Sequence, residues 1–144
     1  MNLHGVVHTL RSAAVPMKEQ RSGSIIVTAS TAGPRQDPFV PYSYAVAKAG
    51  VLNLVRQAAL DLARWQVRVN AIVPGHFRTN LGGGGPIPPA AAAQWSSTVP
   101  LGRMGDPAEI CGLALLLASS ASSFMTGALY PVDGGQLLQS LPLP

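Results

Sequence analysis

Charge is scarce in this chain. Of its 144 residues only 11% are Asp, Glu, Lys or Arg, against 47% hydrophobic. That balance excludes a disordered or solvating segment and fits a packed globular domain. The formal net charge of +4 comes from eight arginines and two lysines that stand singly. No run or stripe of them forms a nucleic-acid footprint. Cysteine is nearly absent: Cys111 alone excludes a disulfide framework and a cysteine-based metal site. It lies in the apolar run Ile110-Cys111-Gly112-Leu113, where a small buried residue is expected. Met1-Asn2-Leu3-His4 lacks a basic start followed by an apolar stretch, so the reading is a cytoplasmic protein without a signal peptide. Residues Ile110 to Val132 carry no charge, which invites a membrane reading. Four serines between 119 and 123, with Gly112 and Gly127, break that stretch into helix, turn and strand, so a buried core is expected instead.

Two site patterns are also missing. His4-Gly5-Val6-Val7-His8 has the histidine spacing of a zinc-protease helix, but Gly5 stands where the glutamate is needed. His76 would have to supply a third ligand, and surface histidines on a helix are the simpler reading, with no metal. Ser30 is flanked by Thr28 and Ala32 rather than by the two glycines of a hydrolase nucleophile turn.

The elements that are present alternate. A helix is expected from about Asn2 to Gln20, stopped by Ser22-Gly23, and a strand from Ser24 to Ala29. After a loop with Pro34, Pro38 and Pro41 comes a long helix, roughly Tyr42 to Trp65, whose Ala45, Ala47, Ala49 and Gly50 suit close packing. A second strand spans Arg68 to Val73. An irregular segment follows from Gly75 to Pro89, with a short helix near Ala90 to Ser97. Asp106-Pro107, an N-cap followed by proline, starts another helix that ends near Ser119. A last strand covers about Ala128 to Val132. This alternation predicts an α/β fold with a parallel sheet and right-handed crossovers.

Tyr44 and Lys48 carry the chemistry. Spaced i, i+4 on a helix, they share one face. A free phenol has a pKa of about 10 and is a reluctant acid or base at neutral pH. An ammonium ~6 Å away at an effective dielectric of ~20 favours phenolate by roughly 3 kcal/mol. The phenol thereby moves toward the range where a general acid/base works best. Ser30 lies fourteen residues upstream at the end of an apolar strand. It either donates a hydrogen bond to a reacting oxygen or satisfies backbone groups at the strand end; the spacing to Tyr44 favours the first. Tyr42 is a rival to Tyr44 without a lysine partner, because residue 46 is valine. In an open α/β sheet ligands sit outside the C-terminal ends of the strands. Ser30, Pro74-Gly75 and Asp133-Gly134-Gly135 all belong to that rim.

Together these residues carry a family resemblance. Asn2-Leu3-x-Gly5, Ser30-x-x-Gly33, Tyr44-x-x-x-Lys48, Val69-Asn70-Ala71-Ile72-x-Pro74-Gly75 and Thr79 occur in order. Gly102-Arg103-x-Gly105-x-Pro107-x-Glu109-Ile110, Thr126-Gly127 and Val132-Asp133-Gly134-Gly135 follow. The chain resembles the C-terminal portion of a short-chain dehydrogenase/reductase. The resemblance implies the second half of a doubly wound Rossmann-type sheet, about three strands with flanking helices. It also implies hydride transfer between NAD or NADP and a small-molecule carbonyl or alcohol. Tyr44 would be the acid/base, and Lys48 its pKa-lowering neighbour and a ligand of the nicotinamide ribose. Ser30 would bind the substrate oxygen, and Asn2 would hold a water in a proton relay. Backbone around Pro74, Gly75 and Phe77, with the Thr79 hydroxyl, would meet the nicotinamide carboxamide.

Family members usually open with a strand, a Gly-x-x-x-Gly-x-Gly turn and an Asn-Asn-Ala-Gly strand. None of these occurs in the 144 residues, and Gly82 to Gly85 neither follow a strand nor open a helix. Residues 1–144 therefore read as a single partial domain, with a flexible substrate-loop region at 75–98. The glycine-proline run within it is either a hinged lid or a tolerated insertion. Two readings of function stay open: an oxidoreductase, or a catalytically silent fragment or partner subunit lacking the cofactor-binding half. A homo-oligomer, dimer or tetramer, is expected of the full-length form; no nucleic acid and no membrane is expected as a partner.

Overall fold

The computed structural model describes residues 2–37, 40–80 and 87–138. Helix α1 (His4–Gln20) leads to strand β1 (Gly23–Thr28), then helix α2 (Tyr42–Leu62) and strand β2 (Val67–Pro74). Helices α3 (Pro89–Ser96) and α4 (Cys111–Ala118) precede strand β3 (Leu129–Val132). The sheet has the order β1-β2-β3, and both strand pairs are parallel. The expected elements all form, most with bounds moved by a residue or two; the helix expected from Asp106-Pro107 opens as a 3-10 turn at Pro107–Ile110 and becomes α-helical only at Cys111. α1 starts later than Asn2, and it is Arg21 in the left-handed region, not Ser22-Gly23, that ends it. The last turn of the long helix tightens into a 3-10 turn at Ala63–Trp65.

Alternation along the strands explains the layers. Ile25 and Val27 of β1 and Val67, Val69, Ala71 and Val73 of β2 point to one face. There they pack against Leu10 and Ala14 of α1 and Val51, Val55, Ala58, Ala59 and Leu62 of α2. The other face is shared with polar groups. The Ser24 hydroxyl donates to the Leu117 carbonyl of α4 at 2.7 Å, and the Arg68 guanidinium donates to the same oxygen at 3.0 Å. β2 is buried along most of its length, so its near-continuous apolar run reads as a central parallel strand. Its one buried amide, Asn70, works as a bracket. Nδ2 donates to the Met125 carbonyl at 2.7 Å, and Oδ1 accepts from the Ala128 N–H at 3.1 Å. These two bonds seat the chain that enters β3.

The segment 110–132 departs from its expected burial. Leu117 and Ser122 are fully enclosed. Leu115 and Phe124, however, are 71% and 102% exposed, and Cys111 is exposed rather than buried. The reason is geometric. A helix apolar on all sides can offer only one side to a three-stranded sheet, and no other described element covers the rest of α4. Among the described residues, no helix is long and apolar enough to cross a membrane.

Asn70→Ala is expected to destabilise the protein by about 1–3 kcal/mol, because it takes the partner from a partly buried carbonyl and a partly buried N–H. A lowered urea midpoint at unchanged slope is the expected reading; an unchanged midpoint would show that the bracket is dispensable.

Candidate active site

Three parallel strands end at one rim. There β1 runs into Ser30, β2 into Pro74-Gly75 and β3 into Asp133, held in step by backbone bonds from Thr31 N–H to the Pro74 carbonyl and from Gly75 N–H to the Val132 carbonyl, each 3.0 Å. Two glycines let these turns close up. A β-carbon at Gly33 would stand 2.8 Å from Leu52 Cδ1 and 3.0 Å from the Lys48 carbonyl, so the turn after β1 lies directly on the backbone of α2. At Gly75 a β-carbon would meet Asp133 Cα at 2.9 Å, so the end of β2 lies against the turn after β3. Asp133 builds that turn, its two carboxylate oxygens accepting from the N–H groups of Gly135 (2.9 Å) and Leu137 (2.8 Å).

Above the rim lies a cleft of about 1060 Å³, at the upper end of the ~300–1,000 Å³ common for small-molecule sites. Ser30, Tyr44 and Lys48 line it, as do Asn2, Pro74, Gly75, Phe77 and Thr79. Every site residue expected from the sequence thus reaches one cavity. Its rival Tyr42 is 92% exposed and is not on the cleft wall. The glycine-proline run falls on residues 81–86, outside the described residues, while Ile87 and Trp95, which follow it, stand on the cleft wall.

Lys48 Nζ lies 5.6 Å from the centre of the Tyr44 ring and donates to the Thr28 carbonyl at 3.1 Å. Its half-buried position lowers its pKa from 10.5, since burial penalises the charged form. The Ser30 hydroxyl accepts from the Ala32 N–H at 3.2 Å. The oxygen thus satisfies a backbone donor, and the hydroxyl proton is the group that can point to a ligand. Asn2 is exposed in the turn before α1.

Sequence reasoning passed over two ionisable groups. His76 and Asp37 both stand on the cleft wall, with His76 Nε2 3.5 Å from Asp37 Oδ2. His76 had been considered only as a metal ligand beside His4 and His8, which lie exposed on α1. The available signal was its place directly after Pro74-Gly75, on the same rim as Ser30.

A family model described as enoyl-(acyl carrier protein) reductase matches residues 1–136. The chain belongs to the short-chain dehydrogenase/reductase family. It is 44% identical to a cyclohexanol dehydrogenase of Rhodococcus sp. (strain TK6) over 136 residues, covering 93% of this chain and 50% of the relative. Among solved structures of the family, it is similar to a 3-oxoacyl-[acyl-carrier protein] reductase of Brucella melitensis with bound NAD (36% identity, TM-score 0.86, 96% of this chain and 50% of the other). It is likewise similar to a gluconate 5-dehydrogenase of Burkholderia cenocepacia in complex with NADP and tartrate (33% identity, TM-score 0.89, 96% and 54%). The chain spans about half the length of these family members.

One flank of the cleft is tied down by charge. Arg103 donates to both oxygens of Glu109 at 2.8 and 2.7 Å, and the Asp106 N–H donates to Glu109 Oε2 at 2.7 Å. With the Ala108 N–H donating to Asp106, this makes a capping box ahead of α4. The guanidinium first and the backbone N–H second hold the Glu109 carboxyl down at about 2, from 4.5. A depressed folded pKa contributes stability above the unfolded value, and that contribution is lost as pH falls through about 2. The unfolding midpoint of the wild type should therefore drop between pH 4.5 and 2 more steeply than that of Glu109→Gln. Parallel midpoint-versus-pH curves for the two proteins would show the pair to be idle.

Proposed function

We propose that this chain is the catalytic portion of an oxidoreductase that interconverts a carbonyl and an alcohol, with Tyr44 as the acid/base. The observation that carries the reading is the convergence of Ser30, Tyr44 and Lys48 on one cleft, with the ammonium 5.6 Å from the phenol ring. The cleft suits the nicotinamide end of NAD or NADP. A half-buried ammonium at Lys48 can hold ribose hydroxyls, and the Thr79 hydroxyl and the backbone at Pro74, Gly75 and Phe77 can meet a carboxamide. When bound, the nicotinamide supplies or takes the hydride. The chain's own groups handle the proton and the oxygen. Ser30 donates a hydrogen bond to the substrate oxygen and stabilises charge that develops there. Tyr44 gives or takes the proton at that oxygen beside the Lys48 ammonium, and Asn2 holds a water that passes protons toward Lys48. Residues 1–144 act as one partial domain, with 75–98 as the substrate-facing segment. The relatives act on a ring alcohol, an acyl-carrier substrate and a sugar acid by name, which supports the carbonyl/alcohol class and leaves NAD and NADP both open.

A second reading, a silent fragment or a partner subunit, is favoured by one observation. Among the described residues β1 pairs only with β2, so Ile25, Ile26 and Val27 form an apolar edge strand, the kind of edge that invites another strand. The 144 residues also lack the glycine-rich turn that would hold a pyrophosphate at a helix N-terminus. The exposed stripe Tyr42, Val46 and Leu60 on α2 suits a helix-helix dimer.

In a full-length form, Tyr44→Phe is expected to lower kcat by roughly 10²–10⁴-fold while cofactor affinity stays nearly unchanged. A loss of affinity as large as the loss of rate would argue against the acid/base role. The 144-residue chain by itself is expected to bind NAD(H) or NADP(H) poorly; a low-micromolar dissociation constant by fluorescence titration would show that it needs no further segment.

A further inference from the structure

Four ionisable side chains line the cleft among the described residues: Asp37, Tyr44, Lys48 and His76. The proposed reaction uses Tyr44 and Lys48 and gives no task to the other two. The Asp37 and His76 side chains are only 11% and 16% exposed, and the cleft they line also carries the apolar side chains of Val40, Ile87, Trp95 and Met104. Holding a carboxylate in such apolar company costs free energy unless polar groups meet it. Its setting is also rigid. His76 Nε2 is 3.2 Å from Gln136 Nε2, and Nδ1 is 3.4 Å from Thr98 Oγ1 and 3.5 Å from the Trp95 carbonyl. The imidazole packs at 5.7 Å on the Trp95 ring. His76 thus sits where the loop after β1, helix α3 and the turn after β3 meet, with Asp37 beside it on the cleft wall.

We propose that Asp37, which stands beside His76 on the cleft wall, is a specificity-determining residue that selects neutral substrates carrying a second hydroxyl group besides the one that reacts. This rests on the oxidoreductase reading for where the reacting oxygen sits, and adds what meets the remainder of the molecule. A carboxylate has about four acceptor positions, so a ligand hydroxyl can share it with the protein's own donors. A plain hydrocarbon alcohol would leave the buried carboxylate without that donor, and an acidic substrate would be repelled.

Binding reads this out without turnover. Trp95 touches His76 and lines the cleft, and Trp65→Phe leaves it as the sole tryptophan of the two in the chain. In that background its fluorescence is titrated with cyclohexanol, cyclohexane-1,4-diol and cyclohexanecarboxylate. The diol should bind roughly tenfold or more tighter than cyclohexanol, as expected for one hydrogen bond to a charged group, and the carboxylate should bind least. Asp37→Ala should erase the diol preference, and Asp37→Asn, which keeps an acceptor, should retain part of it. Equal affinity for diol and cyclohexanol, no saturable binding of either, or a preference that survives Asp37→Ala overturns the proposal. The wild-type comparison stands even if a variant fails to fold. Assaying turnover in the same Trp65→Phe background separates the two readings: a diol preference without turnover supports this inference and removes the reaction, whereas turnover without preference does the reverse.

Discussion

The turn after β1 lies so close to α2 that a β-carbon at Gly33 would stand 3.0 Å from the Lys48 carbonyl. That approach sets the distance between the sheet's rim and the helix bearing Tyr44 and Lys48. The Gly33 N–H in turn donates to the Ser30 carbonyl at 3.0 Å, fixing Ser30 at the start of the same turn. A bulkier residue at Gly33 would push the loop off the helix, and the hydroxyl would leave the phenol and ammonium behind. Packing here comes before chemistry: core contacts of Leu52, Val51 and Val55 hold α2 on the sheet, and the glycine turns that docking into a site.

The same logic runs along the rest of the rim. Parallel strands end on the same side of a sheet, so three strand-end turns gather there without any long-range design. What differs is how each turn is fixed: by a close backbone approach at Gly33, by another at Gly75, and by carboxylate bonds at Asp133. Asn70 extends the scheme below the rim, where its amide stands in for ladder bonds that β3 is too short to supply.

The parts of this architecture that could be read from the chain are those set by local patterns. Helix α2 begins at Tyr42 because Pro41 cannot continue a helix backward, and Asp106-Pro107 announced its own cap. The apolar run Ile25-Ile26-Val27 after Gly23-Ser24 announced a strand. The meeting of Ser30, Tyr44 and Lys48 on one cleft was legible because an i, i+4 pair and a strand-end serine keep their geometry wherever they occur. Burial around α4 was not legible, because Cys111 and Leu115 look like core residues to any rule based on composition. Whether they are covered depends on what stands opposite them. Asp37 and His76 were missed for a related reason. They lie 39 positions apart in sequence, and only the meeting of two rim turns brings them within 3.5 Å.

Lys48 anchors its ammonium to the carbonyl of Thr28, the final residue of β1. That strand is an outer one among the described residues, hydrogen-bonded along one side only. Outer strands open more readily than central ones, and a carbonyl at the end of this one steadies the ammonium. The electrostatics of the cleft are therefore coupled to how well the margin of the sheet is sealed. A neighbouring strand laid against β1, from whatever source, would quiet the Thr28 carbonyl and sharpen the position of Lys48 without touching the cleft.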